Sequence, residues 1–306
     1  MPSDPCTILS IRDAIVRHCH ARRQATIVPG LTLFRVHEPT PPVRSLYDPR
    51  LCVVVQGRKQ VLLGDRTYDI GADEYLIATA DLPVTARATK ASAAAPHLAI
   101  TLDLDRARMT ELLLAMPEAP SSSAGPSSGL AVARHTDDLL EAVARLTALL
   151  DRPGDIAVMA PLVEREIHYR LLQGEWGALL AQFATAGTHL SQIGQVTDWI
   201  KSHYAKPMSV EDLARRAGMS AASLHRHFKA VTAMSPLQYR TRIRLEEARR
   251  RLLVEGRDAG AIGFDVGYES SSQFSREYRK LFGVPPATDA ARRRRAQVSS
   301  PENQRR

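Results

Sequence analysis

The side chains whose types and spacing could do chemistry in this chain are hydrogen-bond donors rather than nucleophiles. Ala222, His225 and Arg226 form one set; Ser272, Gln273, Ser275 and Arg276 form a second. Each set has the spacing that brings residues to one face near the start of a helix. Arginine can bind guanine through two parallel N–H groups and keeps its charge at any ordinary pH, so Arg226 and Arg276 are the strongest candidates for reading base edges in the major groove of double-stranded DNA. Ala222 could touch at most a thymine methyl. The competing reading is that either arginine meets a phosphate or an acid such as Glu277.

The elements that must position these residues are legible around them. From Met208 to Phe228, Ser209 can cap one helix, Gly218 supplies a turn and Ser220 can cap the next, with Leu213, Ala214, Leu224 and Phe228 facing inward. From Asp258 to Phe282 the order repeats. Ile262, Phe264 and Val266 give an apolar face, Gly267 makes the turn, and Ser270 can cap a helix that turns Phe274, Tyr278 and Leu281 inward. Between them, Ser235 to Val254 carries Leu237, Tyr239, Ile243, Leu245, Ala248, Leu252 and Leu253 at helical spacing. One αα-hairpin is a weak signal, since short hairpins are common in helical proteins; two joined by a long helix are a strong one.

This pattern resembles the DNA-binding domain of the AraC/XylS family of transcription regulators. The resemblance rests on Gly267, Tyr268, Ser270, Ser272, Phe274, Ser275, Arg276, Tyr278, Phe282, Gly283 and Pro285, and covers residues 190–287. It implies base contacts at the positions named above. If one protomer sets both second helices into successive major-groove segments, their separation should be about 34 Å.

Charge agrees with that reading. Residues 191–306 hold 22 Lys plus Arg against 12 Asp plus Glu, whereas residues 1–190 hold 19 against 21, so the chain's net +8 belongs to its C-terminal part. A basic surface of this kind neutralises phosphates and releases counterions. Arg249 to Arg251 read as the solvated face of an amphipathic helix. Arg292 to Arg295 follow Pro285 and Pro286 without apolar periodicity, so residues 288–306 read as a disordered basic tail.

The first half is different in kind. LTLFRV, LCVVVQG, KQVLLG, RTYDI, EYLIA, PVTARAT and HLAITLDL are short β-type segments separated by turn formers, within residues 25–105. They predict a small antiparallel barrel or double sheet that could enclose a ligand. Pro29-Gly30-Leu31, Glu38 to Pro42, Leu51 to Gly57, Leu63-Gly64-Asp65, Asp81 to Val84 and Leu102 to Asp105 resemble the cupin-like N-terminal domain found in a subset of AraC-type regulators. That resemblance spans residues 25–115 and implies a regulatory domain for a small-molecule effector, which it does not name. The strand register, and hence the residues facing the cavity, stays open.

Helices should follow in residues 105–185. Thr136 can cap a helix with Leu139, Leu140, Val143, Leu146, Leu149 and Leu150 in one stripe, and Ile156 to Leu172 forms a second. Such a hairpin offers a homodimer surface, though an apolar stripe is more often buried within its own chain. Pro117 to Gly129, rich in Pro, Ser and Gly, reads as a flexible linker.

Several chemistries are excluded or demoted. Cys6, Cys19 and Cys52 show no C-x-x-C spacing, and Cys52 reads as a small buried hydrophobe. His18 and His20, two apart on a helix, would point to different faces. His37 and His97 stand singly among apolar neighbours, unlike the His-x-His ligand cluster of a metal-dependent cupin enzyme, and read as structural. No nucleophile–base pair or phosphate-cradling glycine loop is recognisable. The expectation is an α+β chain: an N-terminal cupin-like antiparallel β-barrel with flanking helices over residues 1–185, then an all-α domain of two helix-turn-helix units over residues 190–287. It is expected to be no enzyme, to need no metal or cofactor, and to be cytoplasmic, since neither a signal peptide nor a membrane-length apolar run is present. Its expected function is DNA-binding transcription regulation. The commoner outcome in the family is activation, with RNA polymerase as a partner; the alternatives are repression by the same architecture, or a metal-dependent cupin enzyme fused to a DNA-binding module.

Overall fold

The computed structural model describes residues 5–118, 120 and 128–298; residues 119 and 121–127 of the expected linker and 299–306 of the expected tail lie outside them. After helix α1 (Pro5–His18) come nine strands: β1 (Arg23–Ala25), β2 (Leu31–Val36), β3 (Val43–Tyr47), β4 (Arg50–Gln56), β5 (Arg58–Leu63), β6 (Arg66–Ile70), β7 (Glu74–Ala78), β8 (Leu82–Lys90) and β9 (His97–Asp103). Helix α2 (Arg106–Ala115) and strand β10 (Leu130–Arg134) precede α3 (Asp137–Ala148), α4 (Ile156–Gln173), α5 (Gly177–Ala184) and α6 (His189–His203). The remaining helices are α7 (Val210–Arg216), α8 (Ala221–Thr232), α9 (Pro236–Val254), α10 (Ala259–Asp265), α11 (Ser271–Phe282) and α12 (Pro286–Val298).

The α+β class holds, but the strands do not close into a barrel. They form two antiparallel sheets, one in the order β1-β2-β9-β4-β7-β10 and one in the order β3-β8-β5-β6. Closure requires edge strands to pair; here the three-residue β1 and the late-arriving β10 end one sheet, and β3 and β6 end the other. The apolar alternation of the sequence predicts seven of the ten strands. It misses β1 and the edge strands β3, whose Val43 is exposed, and β10, which pairs with β7 from 52 residues away.

Pairing sets which side chains share a face. Phe34 lies opposite Ala99 and Val36 opposite His97 on one sheet, while Lys59 lies between Ile70 and Ala88 on the other. Side chains alternate along a strand, so Lys59 shares the face of Val61 and Leu63, both fully buried. In the helical part that follows, Thr136 caps α3 by accepting from the Leu139 N–H. The inward face of α4 is Val163, Ile167, Leu171 and Leu172, whereas Val158, Met159 and Leu162 are exposed.

Two compact units emerge, and they do not follow chain order. Among the described residues, the first contains those up to 195 together with 222–234, and the second contains 196–221 and those from 235 onward. Helix α8 therefore belongs with the sheets: the Gly129 N–H donates to the Val231 carbonyl at 3.0 Å. A methyl placed on Gly64 would stand 2.5 Å from Ala233 Cβ. The second unit is built on Leu245, Ala248, Leu252, Ile262, Val266, Phe274, Tyr278 and Ala290. Phe264, expected inward, is 56% exposed. It sits two residues from Ile262, on the opposite side of the short α10.

Residues 288–298 are helical, not a disordered tail. Pro286, which reads in the sequence as a breaker, sits at the first position of α12, where its missing N–H is no loss. The segment is fixed by one acid rather than by an apolar stripe. Asp289 accepts from Arg249 Nε at 2.8 Å and from the Tyr278 hydroxyl at 2.9 Å, beside the buried Ala290.

Candidate nucleic-acid interface and ligand cavity

Both helix-turn-helix segments have the local chemistry that orients a second helix. Ser209 accepts from the Asp212 N–H at the start of α7, and Gly218 takes φ +62° in the turn toward α8. Asp258 accepts from the Gly260 and Ala261 N–H groups at the start of α10, Gly267 takes φ +96°, and Ser270 accepts from the Gln273 N–H to open α11. Such side chains satisfy amide donors that a helix start leaves unpaired.

The second turn is pinned at close range. A Cβ on Gly267 would lie 2.4 Å from the Ala205 carbonyl oxygen and 2.6 Å from Arg244 Nη2. Arg244 is buried and donates to the carbonyls of Tyr204 at 2.7 Å and Ala205 at 3.3 Å. Its guanidinium, held in place this way, fixes the corner from which α11 projects.

Ala222, His225 and Arg226 are exposed on α8, and Ser272, Gln273, Ser275 and Arg276 are exposed on α11, while Leu224, Phe228, Phe274 and Tyr278 of the same helices are buried. Arg226 Nη2 lies 3.2 Å from His227 Nε2. Glu277 is taken by other groups, accepting from the Tyr268 hydroxyl at 2.8 Å and from Gln273 Nε2 at 3.1 Å. Arg276 has no ion-pair partner among the described residues, and with Ser275, Arg279 and Lys280 it borders an open depression closed by Gly283 and Pro285. The acid-bound alternative for Arg276 is thus not the arrangement of this structure.

In the first unit a cavity of about 510 Å³ lies between the sheets, within the size range of small-molecule sites. Phe34, Val36, His97 and Ala99 line it from one sheet, and Lys59 and Ala88 from the other. Lys59 Nζ is 5.1 Å from the centre of the Tyr47 ring, 5.9 Å from that of Phe34 and 3.7 Å from Cys52 Sγ. Burial works against its ammonium, but Cys52 and Tyr47 favour it by more, and its pKa stands above the ordinary lysine value. His97 is 4% exposed. Burial and the neighbouring Lys59 charge pull its pKa down to about 4 against a hydrogen bond from the ring to the Gln56 backbone, so its imidazole is neutral near pH 7. Its Nδ1 is buried without a hydrogen-bond partner among the described residues.

Lys59 is the residue that sequence reasoning passed over, while His97 is buried, in keeping with the structural reading. The signal was parity: in RKQVLL, Lys59 alternates with Val61 and Leu63, which places a charge on an apolar face. The other singled-out groups have ordinary partners. His18 Nε2 pairs with Asp151 Oδ1 at 2.7 Å, the buried Cys19 thiol donates to the Ala21 carbonyl, and Cys52 is buried as expected. No group of three or more metal-ligating side chains occurs among the described residues, and no helix among them is long and apolar enough to cross a membrane.

Comparison with known proteins agrees with this geometry. Residues 27–179 match the AraC-type transcriptional regulator N-terminus family, and residues 213–292 match a helix-turn-helix domain family. The transcriptional activator RhaS of Salmonella schwarzengrund is 29% identical over 154 residues, 50% of this chain and 55% of that protein. RhaS of Salmonella agona is 31% identical over 155 residues, with the same coverage. The chain thus spans about half the length of the curated relatives it matches. Among solved structures, apo ToxT of Vibrio cholerae aligns with a TM-score of 0.56 at 8% identity, over 89% of this chain and 98% of that one. ToxT with an unsaturated fatty acid bound aligns with a TM-score of 0.53 at 10% identity, over 85% and 93%. These two share the fold. With its N-terminal family matched over half its length and a helix-turn-helix family matched beyond it, the chain belongs to the AraC-type transcriptional regulators.

Proposed function

We propose that this protein is a sequence-specific DNA-binding transcription regulator, an activator as RhaS is named, controlled by a small molecule bound between its two sheets. The observation that carries the reading is the pair of capped helix-turn-helix segments, each exposing polar and basic side chains on its second helix above a buried apolar face. Ala222, His225 and Arg226 meet base edges in one stretch of major groove, and Ser272, Gln273, Ser275 and Arg276 in another about 34 Å away. Arg279 and Lys280 contact phosphates. The protein acts without catalysis, metal or cofactor, in the cytoplasm, with RNA polymerase as its partner in activation. Val158, Met159 and Leu162, exposed on α4, support a homodimer contact there.

The effector acts by binding two states of the protein with different affinity, which is the thermodynamic condition for any such control. The test is selection of bound sites from random DNA by the full chain beside Arg226→Ala and Arg276→Ala at fixed salt. Two base clusters one turn apart, each relaxed by one substitution with a loss of about 1–3 kcal/mol, are expected. Uniform weakening by both variants with no enriched motif would overturn base reading in favour of backbone binding.

A further inference from the structure

The cavity between the sheets is chemically one-sided. Five cations border it, Arg22, Arg23, Arg50, Lys59 and Arg87, against the single carboxylate of Asp48. Three of the arginines are engaged: Arg22 with Glu38 at 3.0 Å, Arg50 with Asp48 at 3.0 Å, and Arg87 with Gln60 at 2.9 Å. Lys59 differs. It projects between the sheets and has no carboxylate partner among the described residues; its three donors meet only a thiol sulfur, the Tyr47 hydroxyl and the faces of two rings. A charge in such a place ordinarily has a charge-assisted hydrogen bond.

A second group points the same way independently. His97 lines the cavity as a neutral imidazole, and its Nδ1 is buried with no hydrogen-bond partner among the described residues. Buried polar atoms without partners are uncommon in native proteins and call for a missing group. Phe34, Val36, Leu46 and the methyls of Ala88 and Ala99 give the wall its apolar part, beside the hydroxyls of Thr40, Ser45 and Thr101.

We propose that this cavity binds a carboxylic acid carrying an apolar body and a hydroxyl group, the carboxylate accepting from Lys59 and the hydroxyl hydrogen-bonding to His97 Nδ1. The proposal deepens the effector reading above and rests on it. Arg50, mostly buried too, is held by Asp48, so Lys59 is the interior cation left for a ligand and suits a monoanion, whereas a phosphate ester would call for more donors than one ammonium. A cationic ligand is disfavoured by the positive border, and a wholly apolar one would leave both Lys59 and His97 Nδ1 buried and unmet.

The test uses the full chain and four matched probes in calorimetric titrations: phenyllactate, phenylpropionate without the hydroxyl, the methyl ester of phenyllactate without the charge, and phenethylamine with the opposite charge. Both acids should bind. Phenyllactate should exceed the ester and the amine by at least about tenfold and phenylpropionate by about fivefold, the range of one charged and one neutral hydrogen bond. Lys59→Met should remove the preference of acid over ester, Lys59→Arg should keep it, and His97→Phe should remove the preference of phenyllactate over phenylpropionate. No binding by any probe at millimolar concentration overturns the assignment, as does equal binding by ester or amine, or selectivity unchanged in Lys59→Met. Affinity for selected DNA, measured in the same samples, separates this from the regulatory reading. Acid bound through Lys59 with no change in DNA affinity refutes regulation and keeps the ligand class; a DNA response to ester or amine that Lys59→Met leaves intact does the reverse.

Discussion

Replacing Gly267 by alanine tests how the second helix-turn-helix is held. Two costs add at this site. The first is conformational: φ is +96°, and an L-residue forced into the left-handed region loses roughly 1–2 kcal/mol. The second is contact: the new methyl would stand 2.4 Å from the Ala205 carbonyl oxygen and 2.6 Å from Arg244 Nη2, so the buried guanidinium must give up hydrogen bonds to Tyr204 and Ala205. Bonds to a charged donor contribute about 1.5–3 kcal/mol. Gly267→Ala is therefore expected to destabilise the second unit by about 3–5 kcal/mol. Gly283 supplies the control, because it has φ +80° at the end of α11 but nothing within 4 Å of where a methyl would stand, and Gly283→Ala should show the conformational cost alone. The chain has two tryptophans, Trp176 in the first unit and Trp199 in the second. In a Trp176→Phe background, urea unfolding followed by Trp199 fluorescence reports the second unit. Equal losses for the two glycine variants would refute the claim that Arg244 and the Ala205 carbonyl pin this turn.

Three further outcomes are expected. Asp289→Asn should cost the second unit about 2–3 kcal/mol in the same assay, because it leaves the mostly buried Arg249 without its carboxylate; a loss under about 0.5 kcal/mol would mean that α12 is held by something else. His97 has a folded pKa of about 4 against the ordinary 6.5, so below pH 6.5 the unfolded chain takes up a proton that the folded one refuses. Stability of the first unit should fall as pH drops from about 6.5 to about 4, by up to about 3 kcal/mol from this group, and His97→Leu should lower the slope by about one proton when Trp176 is followed in a Trp199→Phe background. Ala233 holds φ +59° without being glycine, so Ala233→Gly should stabilise the first unit by about 1 kcal/mol; it should also remove the clash of Gly64→Ala with Ala233 Cβ, leaving only the cost of an alanine at φ +62°, as a double-mutant cycle would show.

What the sequence makes legible follows the range of the forces involved. Caps and turns are local, so Ser209, Thr136, Ser270 and Gly267 announce their helices directly. The exposed faces of α8 and α11 follow from the buried ones by the helical repeat. Edge strands such as β10 are long-range objects: LAVAR becomes a strand because β7 has an open edge, and nothing within five residues encodes that. Helix α12 fails in the same way. Its decisive contact joins Asp289 to Arg249, 40 residues away, and a segment with one buried acid shows no apolar period.

The cavity lies between these cases, and shows why parity without pairing is not enough. Alternation in RKQVLL puts Lys59 with Val61 and Leu63, but an inward lysine becomes chemistry only when a facing strand leaves it without an acid. That strand is β9, where His97 and Ala99 share the opposing wall. Each residue alone has an ordinary reading: a strand lysine whose stem covers apolar surface, and a histidine in a core. Together they place a cation and an unpartnered ring nitrogen in one cavity, with the ammonium against Cys52, Phe34 and Tyr47. A site that hydrogen-bonds two separated polar groups then rejects analogues lacking either one more strongly than an apolar pocket of the same size could.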